Sequence, residues 1–60
     1  MDPNQALANA RDAHQRAERF YQKFDDAARL AALEEIDKAF EALDEWISKG
    51  GFLPDEWRKS

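Results

Sequence analysis

Glycine and proline occur only near the two ends of this chain: Pro3 at the start, and Gly50, Gly51 and Pro54 towards the finish. Between Pro3 and Gly50 neither residue interrupts the backbone, and apolar residues recur at helical spacing. Leu7, Ala10, His14, Ala17, Tyr21 and Phe24 step by 3, 4, 3, 4 and 3, with Ala6, Ala13 and Phe20 widening the stripe on one side. A strand requires a period of 2, so the pattern predicts helix. A second stripe follows, made of Leu30, Leu33, Ile36, Phe40, Leu43 and Ile47 and flanked by Ala39 and Trp46.

The boundaries follow from capping chemistry. Asp2 can cap the first helix, Pro3 suits its first position because the missing N–H costs nothing there, and Gln5 completes a capping-box-like pattern. Asp25-Asp26 is the one plausible break, since either aspartate can cap a second helix and favour its positive end. A continuous helix from Pro3 to Lys49 is the alternative. It would be about 70 Å long and would need another chain to cover its stripe. A turn is therefore preferred, with helix 1 over about 3–24, helix 2 over about 26–49 and a tail over 50–60, all in one small domain of 1–60. Glu34 with Lys38 and Glu45 with Lys49 are favourable i,i+4 pairs on helix 2. A glycine after the last turn takes the left-handed conformation that ends a helix, and Pro54 suits the first position of a short helical turn.

The expected fold class is all-α: an antiparallel two-helix hairpin with a C-terminal tail folded back on the open end. In such a hairpin, positions whose numbers sum to roughly 50 face each other. Phe20, Tyr21 and Phe24 then meet Ala27, Ala28, Ala31 and Ala32, while Ala6, Ala10 and Ala13 meet Phe40, Leu43, Trp46 and Ile47. Large residues set against small ones fill space without voids. Charge agrees with this orientation. Pro3 to Phe24 carries four cations against two acids, a net +2, and Asp25 to Lys49 carries three cations against eight acids, a net −5.

Size limits what such a chain can do. At 60 residues with no cysteine and one histidine, it has no disulfide and no thiolate metal site. A domain this small is marginal unless packing is very good or a partner adds cover. The 43% hydrophobic and 12% aromatic content argues for a folded chain. No apolar run reaches membrane-spanning length and no signal pattern opens the chain, which makes the cytoplasm the expected compartment. A net charge of −4 argues against direct nucleic-acid binding.

Each candidate for chemistry has a plain alternative. His14 could pair with Asp37 for acid–base work, but no nucleophile or oxyanion site accompanies them, so a polar residue at a helix interface is expected instead. Glu34, Asp37, Glu41, Asp44 and Glu45, with Glu35, could suggest a metal site. A di-metal carboxylate centre also needs Glu-x-x-His spacing from facing helices, and the EF-hand loop pattern is missing too. A solvated acidic face is the expectation, with no metal and no cofactor. The same face permits mimicry of nucleic acid toward a basic protein. Trp46, Phe52, Leu53 and Trp57 are the protein-interaction candidates, because tryptophan is enriched at binding hot spots. Their alternative role is to fold back over the open end of the hairpin, where helix 1 presents only Ala and one Leu.

The run from Ala42 to Trp57, ALDEWISKGGFLPDEW, resembles the C-terminal signature of small uncharacterised proteins of actinobacteria and their phages. In that group the pattern reads L-D-E-W-L-x-x-G-G-F-L-P-x-x-W, usually after an acidic helix, and Ile47 stands here where Leu is usual. The resemblance implies a small cytoplasmic protein, phage-encoded in some cases, and lends no catalytic residue. Together these readings predict a non-enzymatic protein-interaction module, an actinobacterial or phage accessory protein that modulates a host protein. A self-associating homodimeric four-helix bundle is the alternative, and an acidic nucleic-acid mimic comes third.

Overall fold

A computed structural model describes residues 1–58; Lys59 and Ser60, the last two positions of the expected tail, lie outside the described residues. Helix α1 runs Pro3–Gln22 and helix α2 runs Asp26–Ser48, followed by one 3-10 turn at Asp55–Arg58. The two α-helices pack against each other, with no strand among the described residues. The chain is an all-α helical hairpin.

Helix starts are capped by side chains. The Asp2 carboxylate accepts from the backbone N–H groups of Asn4 (3.0 Å) and Gln5 (3.4 Å), with Pro3 in the first turn. The Asp25 carboxylate accepts from the Ala28 N–H at 3.1 Å, and Asp26 adds a negative charge to that first turn. These contacts satisfy N–H groups that have no partner inside the helix.

Both helices end in one motif. After α1, the Asp25 N–H reaches back to the Phe20 carbonyl (2.9 Å) and the Phe24 N–H to the Tyr21 carbonyl (3.1 Å). After α2, the Gly51 N–H reaches the Trp46 carbonyl (2.8 Å) and the Gly50 N–H the Ile47 carbonyl (3.0 Å). This pair of bonds is the Schellman closure, which puts its turning residue in the left-handed region. Gly50 does so at φ 89°, and Phe24 does so at φ 56° without a glycine's freedom. Phe24 is consequently thrown outward and is 90% exposed.

The packed seam between the helices is not the one the periodicity favours. The buried apolar residues are Leu7, Ala13 and Ala17 of α1 and Ala32, Ala39 and Leu43 of α2. Of the expected stripes, Tyr21, Leu30 and Phe40 are mostly exposed, Leu33 is 38% exposed, and Ile36 and Ile47 are half-buried. The expectation that Phe20, Tyr21 and Phe24 together fill space against the alanines of α2 is corrected: of the three only Phe20 is even half-buried. Taking 100° per residue, the buried arc of α2 is rotated by about 80° from the centre of its large apolar stripe. Alanine faces allow helix axes to approach to the short end of the usual 8–10 Å range, and α1 presents mainly alanine. A stripe as wide as that of α2 exceeds what one neighbouring helix covers.

The molecule measures 39 × 22 × 14 Å. The shortest dimension is close to the thickness of one helix with its side chains, so the hairpin is a single layer. Its radius of gyration is 13.0 Å, against about 10 Å for a globular domain of this length. The hairpin therefore has two broad faces, and neither is covered by a third helix among the described residues.

Candidate functional site

The two broad faces differ in the side chains they expose. One is polar. Asn9, Asp12 and Arg16 of α1 face Glu35 and Lys38 of α2 across a shallow depression floored by Ala6, Ala39 and Ala42. Arg16 links the helices there, with its guanidinium 2.6 Å from the Glu35 carboxylate and 2.9 Å from that of Asp12. The hydrogen bond that Arg16 donates to Glu35 raises its pKa above the ordinary value, with Asp12 adding to the effect. Arginine is already cationic throughout the accessible pH range, so the shift adds no titration in that range.

The opposite face exposes large apolar side chains with polar and charged ones among them. Between the helices it holds an open groove of about 480 Å³ lined by His14, Ala17, Glu18, Tyr21 and Gln22 of α1 and Arg29 and Leu33 of α2. The Arg29 guanidinium lies over the Tyr21 ring, 5.0 Å from its centroid. Phe40 lies two turns beyond Leu33 on the same side of α2, and is 65% exposed; Leu30, at 59%, adjoins Leu33. Here large side chains at helical spacing face solvent.

His14 is corrected from its expected place beside Asp37. Its side chain is 66% exposed and its imidazole lies 3.7 Å from the Glu18 carboxylate of its own helix. The acids Glu34, Asp37, Glu41, Asp44 and Glu45 are all exposed along α2, and Glu45 holds Lys49 at 2.7 Å. Among the described residues no group of three His, Asp or Glu side chains converges as metal ligands would. No helix there is long and apolar enough to cross a membrane.

The four aromatic and apolar candidates near the C-terminus occupy different situations. Trp46 is half-buried; its indole N–H donates to the Phe52 carbonyl at 2.9 Å, and its ring meets the Phe52 ring edge-on at a centroid distance of 5.4 Å. A Cβ on Gly51 would overlap the Trp46 indole, so glycine is what allows the indole to lie against the backbone. Phe52 is 57% exposed, Leu53 37% and Trp57 45%. Pro54 and Pro3 are the largest fully buried residues. At the residues that follow these prolines, the Asn4 side chain accepts from the Asp55 N–H at 2.7 Å and donates to the Asp55 carboxylate at 3.3 Å. Arg58 pairs with Asp55 from the same 3-10 turn.

The structure thus shows two apolar regions open to solvent: the Tyr21–Leu33–Phe40 face, and the Phe52–Leu53–Trp57 segment. The first was hidden from sequence reasoning because its residues are the ones that periodicity assigns to a core. A width test could have found it, since α2 carries both an alanine seam and a separate seam of large residues. No family model matches the chain, and no curated protein or solved structure matches it significantly.

Proposed function

We propose that this chain is a non-enzymatic interaction module that works through the open apolar face of the hairpin, as an accessory protein of an actinobacterium or its phage acting on a host protein in the cytoplasm. The observation supporting this reading is that Leu30, Leu33 and Phe40 of α2 and Tyr21 of α1 stand exposed while alanines fill the interhelical seam. Large apolar side chains grouped on one face of a small protein mark contact surfaces. In this reading the tail stays folded across the open end through the Asn4–Asp55 hydrogen bonds, and Phe52, Leu53 and Trp57 extend the contact surface while Trp46 supports it from beneath.

The test is capture from host lysate by tagged wild-type protein, Phe40→Lys and Trp57→Ala, each first checked for helicity by circular dichroism. Loss of captured proteins with Phe40→Lys, and a smaller loss with Trp57→Ala, is expected. The reading is overturned if both variants stay helical and retain the same proteins as the wild type.

A further inference from the structure

We infer that the occupant of the apolar face is a second copy of this chain, with α2 packed antiparallel against the partner's α2 about a two-fold axis near Ile36 and Asp37. The inference rests on the reading that this face is the contact surface and makes the second copy its resting occupant, which a host protein would have to displace; three observations select a second copy.

The first is spacing. Leu33, Ile36, Phe40, Leu43 and Ile47 alternate in steps of 3 and 4, the seam that helices use to pack knobs into holes. α1 takes only Leu43 of this seam into full burial. The vacant part is a helix-binding surface, and the chain itself supplies a helix of the required pattern.

The second is symmetry. In a two-fold contact a residue pair must be reciprocal. About a point between Ile36 and Asp37, Leu33 falls opposite Phe40 of the other copy, and Phe40 opposite Leu33. The same operation sets Arg29, one turn before Leu33, opposite Asp44, one turn beyond Phe40. Each copy thereby brings a cation to the other's acid at both ends of the apolar contact. The antiparallel direction also sets the positive start of each helix beside the negative end of the other. Asp37 opposes this arrangement, because both copies bring that carboxylate close to the axis.

The third is area. At about 200 Å² per large side chain, the exposed parts of Tyr21, Leu30, Leu33 and Phe40 amount to about 450 Å² per copy. Full cover of these side chains in two copies buries at most about 900 Å² before Ile36, Ile47 and the polar flanks are counted, against a lower bound of about 1,200 Å² for a stable interface.

The chain contains no cysteine, so single-cysteine variants give an unambiguous test. Asp37→Cys should form a disulfide-linked dimer in a glutathione redox buffer. Lys38→Cys, on the polar face with Arg16 and Glu35, should remain unlinked. Sedimentation of the wild type at about 100 µM should give twice the 7.0 kDa chain mass. Arg29→Asp should weaken the dimer by about tenfold or more, the double variant Arg29→Asp/Asp44→Arg should restore it, and Asp37→Asn should tighten it severalfold. A 7.0 kDa wild type with a melt independent of concentration overturns the inference, as does equal crosslinking of the two cysteine variants. If a monomeric wild type still loses lysate partners through Phe40→Lys, only the second copy is refuted. If that capture is indifferent to Phe40, the contact face is refuted as well.

Discussion

Phe24 and Gly50 hold the same position in two copies of one helix-ending motif, and they do so at different cost. Gly50 has no atom within 4 Å of where a Cβ would stand, so its role is purely conformational. Gly50→Ala should lower stability by about 1 kcal/mol through the left-handed backbone alone, as read by urea denaturation. Phe24 already bears that strain and, at 90% exposure, has little packing to lose. Phe24→Gly should therefore stabilise the protein by about 0.5–1 kcal/mol in the same measurement. Gly51 differs from both, since its lack of a side chain makes room for the Trp46 indole. Gly51→Ala should cost about 2 kcal/mol and shift the tryptophan fluorescence, because the indole must leave the Phe52 carbonyl. Adjacent glycines thus have separate purposes, one turning the chain and one admitting a ring.

Among the elements, the tail is joined to the start of α1 by a reciprocal side-chain contact. Asn4 both accepts from the Asp55 N–H and donates to the Asp55 carboxylate. Its removal should cost about 1 kcal/mol. Asn4→Ala should raise amide exchange at Asp55 and Trp57 while the α1 and α2 amides stay protected, since the helices do not depend on this bond. The Arg16–Glu35 pair works differently. It is partly exposed and screened by salt, so it aligns the two helices more than it stabilises them. It also places charges on the face opposite the apolar one, which directs any apolar association to a single side.

Over the whole molecule, a single-layer hairpin with an alanine seam leaves its largest side chains without cover. The hydrophobic gain from six buried apolar residues, four of them alanine, is small for a chain of this length. Association would add what the monomer lacks, and binding to the folded state raises apparent stability by mass action. The wild-type melting temperature should therefore rise when protein concentration is increased a hundredfold. Phe40→Lys should abolish that dependence while altering the stability of the dilute monomer by about 0.5 kcal/mol or less, because exposed positions contribute little to it.

By itself the sequence determined the helices and their ends. Steps of 3 and 4 are local, capping aspartates act on N–H groups two or three residues away, and the glycines after α2 act on the turn before them; none of this requires knowing what the helix meets. The preference for a turn at Asp25-Asp26 rests instead on the length and uncovered stripe of a continuous helix, and the turn found there carries the Asp25 cap. What only the tertiary structure decided is which side of each helix is inside. Periodicity weights residues by hydrophobicity, and so points to Leu33, Phe40 and Tyr21. Packing weights them by fit to a particular neighbour, and α1 meets α2 through Ala13 and Ala17 against an Ala32–Ala39 seam. That choice depends on two surfaces at once, which no single stripe encodes. It leaves the open face of the hairpin as the part of the molecule to be tested for function.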